Sequence, residues 1–85
     1  MIKIIRIQVL NDFQLQLEFS DGSNGWFDGR ALLQRTGPLL DALRDPDYFA
    51  RAFIDAGALC WPNGLELSPA RVYEECHFES VGALP

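Results

Sequence analysis

The chain has 85 residues, enough for one small domain that buries only about 60% of the surface its unfolded form exposes. Apolar residues make up 48% and charged residues 22%; that balance excludes a disordered segment, and no apolar run nears the roughly 20 residues that cross a bilayer. Against 7 Lys and Arg stand 12 Asp and Glu, a formal charge of −5, which argues against direct nucleic-acid binding by this chain. The N-terminus enters an alternating pattern rather than the apolar block of a signal peptide, so a cytoplasmic, membrane-free protein is expected. Cys60 and Cys76 are too few for a disulfide framework and are expected as free thiols. No repeat, low-complexity tract or linker interrupts the sequence, which predicts a single domain over 1–85 with 76–85 as a C-terminal tail.

The elements begin with strands. Ile5, Ile7 and Val9 alternate with polar neighbours, and Leu15, Leu17 and Phe19 do the same. Pairing Leu10 with Gln14 through a three-residue loop, Asn11-Asp12-Phe13, sets Val9 against Leu15, Ile7 against Leu17 and Ile5 against Phe19. A two-residue loop would slip the register and turn the side chains to the wrong face. Ile2 and Ile4 then point to the opposite face. Asp21-Gly22 suits a two-residue type I′ turn, which places Leu17 opposite Trp26 and Phe19 opposite Asn24. Trp26 is thereby expected on the apolar face.

After Phe27 the period changes. Asp28 caps a short helix over 30–35 that ends at Gly37-Pro38, and Leu39, Leu40 and Leu43 suggest another turn. Asp45-Pro46-Asp47 supplies an N-cap, a proline at the first helical position and an acid facing the helix dipole, with Tyr48, Phe49 and Phe53 buried beyond it. Phe53-Ile54-Asp55 and Ala58-Leu59-Cys60-Trp61 flank Ala56-Gly57 as a second hairpin. Leu65 and Leu67 continue briefly after a turn at Pro62-Asn63-Gly64, and Ser68-Pro69 starts a last helix through about Glu75. The expectation is an α+β fold: a small antiparallel sheet, made of an N-terminal three-stranded meander plus a later hairpin, with two or three short helices.

Several of these elements resemble one family in order and spacing: Phe19-Ser20-Asp21-Gly22 with Gly25 and Phe27-Asp28, then Leu43-Arg44-Asp45-Pro46 with Tyr48-Phe49. Trp61-Pro62-Asn63-Gly64 and Leu67-Ser68-Pro69 with Tyr73-Glu74 continue the series. Over roughly residues 3 to 75 the chain is similar to the bacterial domain of unknown function 2442. The resemblance implies a small protein without an assigned reaction. It also implies relatives that carry a helix-turn-helix after this module, and others encoded beside a second small protein as in toxin–antitoxin pairs. The sequence ends before a helix-turn-helix would fit, and Glu66 and Ala70 stand where the family pattern favours aspartates.

Trp61-Pro62-Asn63-Gly64 is the most distinctive local element. Read structurally, proline fixes φ, Asn-Gly accepts unusual dihedrals and Trp61 packs as core. Read functionally, it offers an indole edge and an amide to a ligand. Turn chemistry accounts for every residue and leads; Trp61, Asn63, Gly64 and Tyr73 are the candidate ligand or partner contacts. Cys76-His77 with Glu74, Glu75 and Glu79 lacks the paired spacing of a zinc site, so neither metal nor cofactor is expected. No spacing singles out a carboxylate pair among Asp45, Asp47 and Asp55, no motif marks a nucleophile beside His77, and the glycines miss the phosphate-loop patterns. No catalytic residue is assigned. Basic residues form no run, although Arg30, Arg35, Arg44 and Arg51 fall in the segment carrying the short helices. The expectation is a non-catalytic interaction module, antitoxin-like, with a small co-encoded protein as partner; a homodimer through sheet edges is a further arrangement. The alternative is a small-molecule-binding domain or cryptic enzyme using the Trp61–Gly64 turn. The tail residues Phe78, Val81 and Leu84 are expected to dock on this domain or a neighbouring copy.

Overall fold

Alternation in the first third of the chain builds the expected meander. In the computed structural model, which describes residues 1–78, β1 (Ile4–Val9), β2 (Gln14–Phe19) and β3 (Asn24–Asp28) pair antiparallel in chain order. A short strand, β7 (His77–Phe78), pairs antiparallel with β3 and completes the order β1-β2-β3-β7. The second sheet contains β4 (Phe53–Asp55), β5 (Ala58–Cys60) and β6 (Glu66–Leu67), in that order. The Ile4 N–H donates to the Gly57 carbonyl at 3.0 Å and joins the two sheets. Among the described residues four short helices, rather than two or three, accompany the sheets: α1 (Gly29–Leu32), α2 (Pro38–Ala42), α3 (Pro46–Phe49) and α4 (Pro69–Glu75).

The caps read from the sequence form as expected. Asp28 accepts from the Arg30 N–H, Asp45 from the Asp47 N–H and Ser68 from the Arg71 N–H, each satisfying an otherwise orphaned donor of a helix's first turn. Proline starts α2, α3 and α4, where its missing N–H removes no helical bond. Ala56 and Gly57 take positive φ (52° and 85°) between β4 and β5, the conformation of a tight hairpin. The core gathers Ile4, Leu15, Leu17, Phe19 and Phe27 from the meander with Leu32, Leu43, Phe49, Leu59, Trp61 and Val72. Phe49 is buried as expected, but Phe53 lies 42% exposed.

Two registers decide what the meander presents to solvent. Between β1 and β2 the three-residue loop holds: Val9 faces Leu15 and Ile7 faces Leu17, with Asp12 and Phe13 at positive φ. A bulge between Ile4 and Arg6 then shifts the pairing, so Ile4 rather than Ile5 meets Phe19. Ile4 turns into the core and Ile5 is left 50% exposed, the reverse of the expectation. Between β2 and β3 the loop is one residue longer than expected. Phe19 N–H bonds the Ser23 carbonyl, Gly22 N–H bonds the Phe19 carbonyl, and Gly22 sits at φ 87°. That is a three-residue loop with glycine at its left-handed position. Asp21 favours it by accepting from both the N–H and the hydroxyl of Ser23. The pairing becomes Leu17 with Gly25 and Gln16 with Trp26, so Phe27 enters the core and Trp26 turns outward.

The same register places Gly25 on the inner side, where a Cβ would lie 3.0 Å from the Phe78 ring. Phe78 fills that space and packs against Phe19 and Tyr73. The first tail residues are therefore a strand docked in cis; Val81 and Leu84 lie outside the described residues.

Candidate functional site

Trp61, Asn63 and Gly64 occupy the turn after β5. Trp61 is 1% exposed, and its indole Nε1–H donates to the Phe49 carbonyl at 3.0 Å while the two rings pack at 5.6 Å. Asn63 Nδ2 donates to the Leu39 carbonyl at 3.0 Å, and its Oδ1 accepts from the Leu65 N–H at 3.1 Å. Gly64 takes φ 95° and returns its N–H to the Trp61 carbonyl at 3.1 Å. Tyr73 lies on α4, packs its ring against Phe19 and Phe78, and donates its hydroxyl to Asp21 Oδ2 at 2.9 Å. The first three residues thus tie a turn to the core and to α2, while Tyr73 ties α4 to the β2–β3 loop.

A different surface brings aromatic and amide groups together. Alternation along the meander sends Arg6, Gln8, Gln14, Gln16, Glu18, Asn24, Trp26, Asp28 and His77 to the side of the four-stranded sheet away from the core. Gln8 pairs with Gln16, Gln16 with Trp26 and Trp26 with His77, so one row crosses all four strands. Trp26 and His77 stack with centroids 4.4 Å apart and planes 22° from parallel. Trp26 is half-buried, whereas Gln8, Gln16 and His77 are exposed. Two open depressions of about 240 Å³ each indent this face, one beside Leu10, Gln14, Gln16 and Trp26, the other among Arg6, Gln8, Gln16, Glu18 and Asn24.

Charge on this face is balanced locally. Arg6 Nε lies 3.2 Å from Glu18, and Arg30 Nε lies 3.3 Å from Asp28. Burial pushes the Asp28 carboxyl up, but hydrogen bonds from Arg30 and the charges of Arg30 and His77 outweigh it and hold the group below its ordinary value. Most remaining described carboxylates lie on loops, helices and the second sheet. Among the helix-segment arginines, Arg44 clamps the Leu33 and Arg35 carbonyls and pairs with Asp41, while Arg51 lies over the Tyr48 ring.

Both thiols are held away from reactivity. Burial raises the Cys60 thiol, helped by the negative charges of Glu66 and Asp55, and burial pushes Cys76 up to about 11. Among the described residues no three His, Cys, Asp or Glu side chains gather as a metal site. No described helix is long and apolar enough to cross a membrane.

The sequence reading missed Trp26 as a surface group. The adjacent pair Trp26-Phe27 made either register apolar, and the three-residue loop chose Phe27 for the core. The Asp21-x-Ser23 pattern, able to form a local side-chain turn, was the available signal.

Comparison with known proteins bears on this surface. The family described as a protein of unknown function (DUF2442) matches residues 4–78. No curated protein matches the chain. Among solved structures it is similar to the "putative DNA binding protein NE0471" from Nitrosomonas europaea ATCC 19718, at 25% identity and a TM-score of 0.75 over 88% of this chain. The chain spans 48% of that one, about half its length. This neighbour corrects the expectation that set nucleic acid aside on the strength of an acidic net charge. The physical reason is that −5 belongs to the whole chain, whereas among the described residues each carboxylate of the outer sheet face is paired with an arginine.

Proposed function

Because the chain belongs to the DUF2442 family of proteins of unknown function, we propose that it is a non-catalytic interaction module that works through the outer face of its four-stranded sheet. The observation that carries this reading is the Trp26–His77 stack in a row with Gln8 and Gln16. A solvent-facing indole flanked by amides is the composition of a recognition surface, since its ring and its hydrogen-bonding neighbours are available together. The candidate acid–base groups support a binding role over a catalytic one. His77 lies against Trp26, Asp28 is engaged by Arg30, and both thiols are raised. The likeness to a longer chain described as DNA binding supports a setting in a nucleic-acid-handling assembly. The family resemblance supports an antitoxin-like role for such a module.

Affinity capture from the native host, with protein and nucleic acid both measured, tests this reading. Wild-type protein is expected to retain a stoichiometric companion that Trp26→Ala loses and Arg35→Ala keeps. Equal capture by all three proteins overturns the assignment of this face.

A further inference from the structure

We infer that the outer sheet face is a stacking platform for unpaired bases of single-stranded nucleic acid, with Trp26 and His77 carrying bases and Gln8 and Gln16 reading their edges. The inference rests on the proposal that this face is the interaction surface, and adds the chemistry of its occupant. Three observations point the same way.

The first is the aromatic geometry. Two nearly parallel rings at 4.4 Å already form a short pile on the outer face, and a third planar ring stacked on it would extend the pile. Base–aromatic stacking of this kind tolerates every base, because each has a π-face. The second is the row itself. Gln8, Gln16, Trp26 and His77 are successive register partners across four strands, spanning about 14 Å at roughly 4.8 Å per strand. Each glutamine amide presents a donor and an acceptor side by side, the pair that matches a base edge.

The third is charge. Arg6 and Arg30 stand on either side of the row, 81% and 60% exposed, and each meets its carboxylate through Nε. A guanidinium paired through Nε keeps its terminal nitrogens as further donors to a phosphate. Duplex DNA is a poor fit, because its major groove admits a helix or a two-stranded ribbon rather than the flat of a four-stranded sheet. A single strand lies across such a sheet with its bases against the rings.

The test uses the full chain and four probes: 12-nucleotide oligo(dT) and oligo(dA), a duplex of the same length, and an uncharged oligosaccharide. Trp26 is half-buried on this face and Trp61 is fully buried in the core, so quenching of tryptophan emission reports the platform. Single strands are expected to quench and the duplex and saccharide to leave emission unchanged. Trp26→Ala is expected to weaken binding of a labelled single strand roughly 5- to 150-fold, with Trp26→Phe restoring most of it. Two arginine contacts predict a shallow salt dependence, with a log–log slope of about −1.4. If Trp26→Ala does not fold, the double variant Gln8→Ala, Gln16→Ala on the same row replaces it, with weakened binding again expected. No response to either single strand, binding indifferent to these substitutions, or quenching by the saccharide alone overturns the inference. If no single strand binds while capture from the host still depends on Trp26, the surface stands and only its occupant is wrong. Failure of both removes the surface as well.

Discussion

Trp61 buries its indole against Phe49 and donates its N–H to a backbone carbonyl, whereas Trp26 lays its ring on His77 at the open side of β3. Around Trp61 each distinctive residue has a local partner: Asn63 bridges Leu39 and Leu65, and Gly64 closes the turn. Around Trp26 the register partners are Gln16 on one adjacent strand and His77 on the other, both exposed. A conspicuous sequence element can thus be engaged throughout by local packing and hydrogen bonds, while a plain alternation leaves an aromatic on a polar face. Burial with satisfied polar atoms marks the first case, and exposure of an aromatic on a polar face marks the second.

The comparison breaks most readily at Trp61. Trp61→Ala is expected to cost about 3–5 kcal/mol in urea denaturation, a large share of a small domain's stability; a loss below about 1 kcal/mol would place Trp61 outside the core. Gly29→Ala should follow at about 1–3 kcal/mol, because its Cβ would lie 2.5 Å from the Phe49 ring and 2.7 Å from the Phe13 carbonyl oxygen. Asn63→Ala, removing two hydrogen bonds, is expected to cost about 1–2 kcal/mol while leaving capture of a companion unchanged. Loss of capture without loss of stability would make the turn a contact. Trp26→Ala should cost under about 1 kcal/mol, in the range of surface substitutions, yet abolish capture.

Acid sharpens the comparison further. Asp28 is held below its ordinary value of 3.8 in the folded chain, so the unfolded chain binds its proton more readily. Its contribution is complete above that value and is lost as pH falls through the lowered one. Asp21 adds to the same window, held down by the Ser23 hydroxyl, the Ser23 N–H and then Tyr73. Acid titration of stability is therefore expected to fall less steeply below pH 3.8 in Asp28→Asn than in the wild type; an unchanged profile would show that Arg30 does not favour the ionised form.

Local chemistry was the legible part of the fold. The alternation of Leu15, Leu17 and Phe19, the caps Asp28, Asp45 and Ser68, and the Ala56-Gly57 hairpin each depend on residues close in sequence, and each forms as read. What escaped was decided by contacts between distant segments or by one residue of loop length. The bulge at Ile5 follows from Lys3 pairing with Ser20 and Ile4 with Gly57. Strand β7 has two residues, too few for any period, and exists because β3 offers it an edge. The outward turn of Trp26 depends on a loop that sequence pattern left open between two apolar neighbours. The family resemblance carried the fold but did not mark this row.

The missing side chain at Gly25 has a consequence on the other side of the sheet. Phe78 fills the space that a Cβ would occupy, and a strand of two residues has little ladder of its own to hold it. His77 therefore keeps its place beside Trp26 through a rivet on the inner surface. Anything seated on the two rings from outside must also strengthen that rivet, since binding favours the state in which both are aligned. Slower exchange of the His77 amide upon occupancy would be the signature of a surface whose front is fastened from behind.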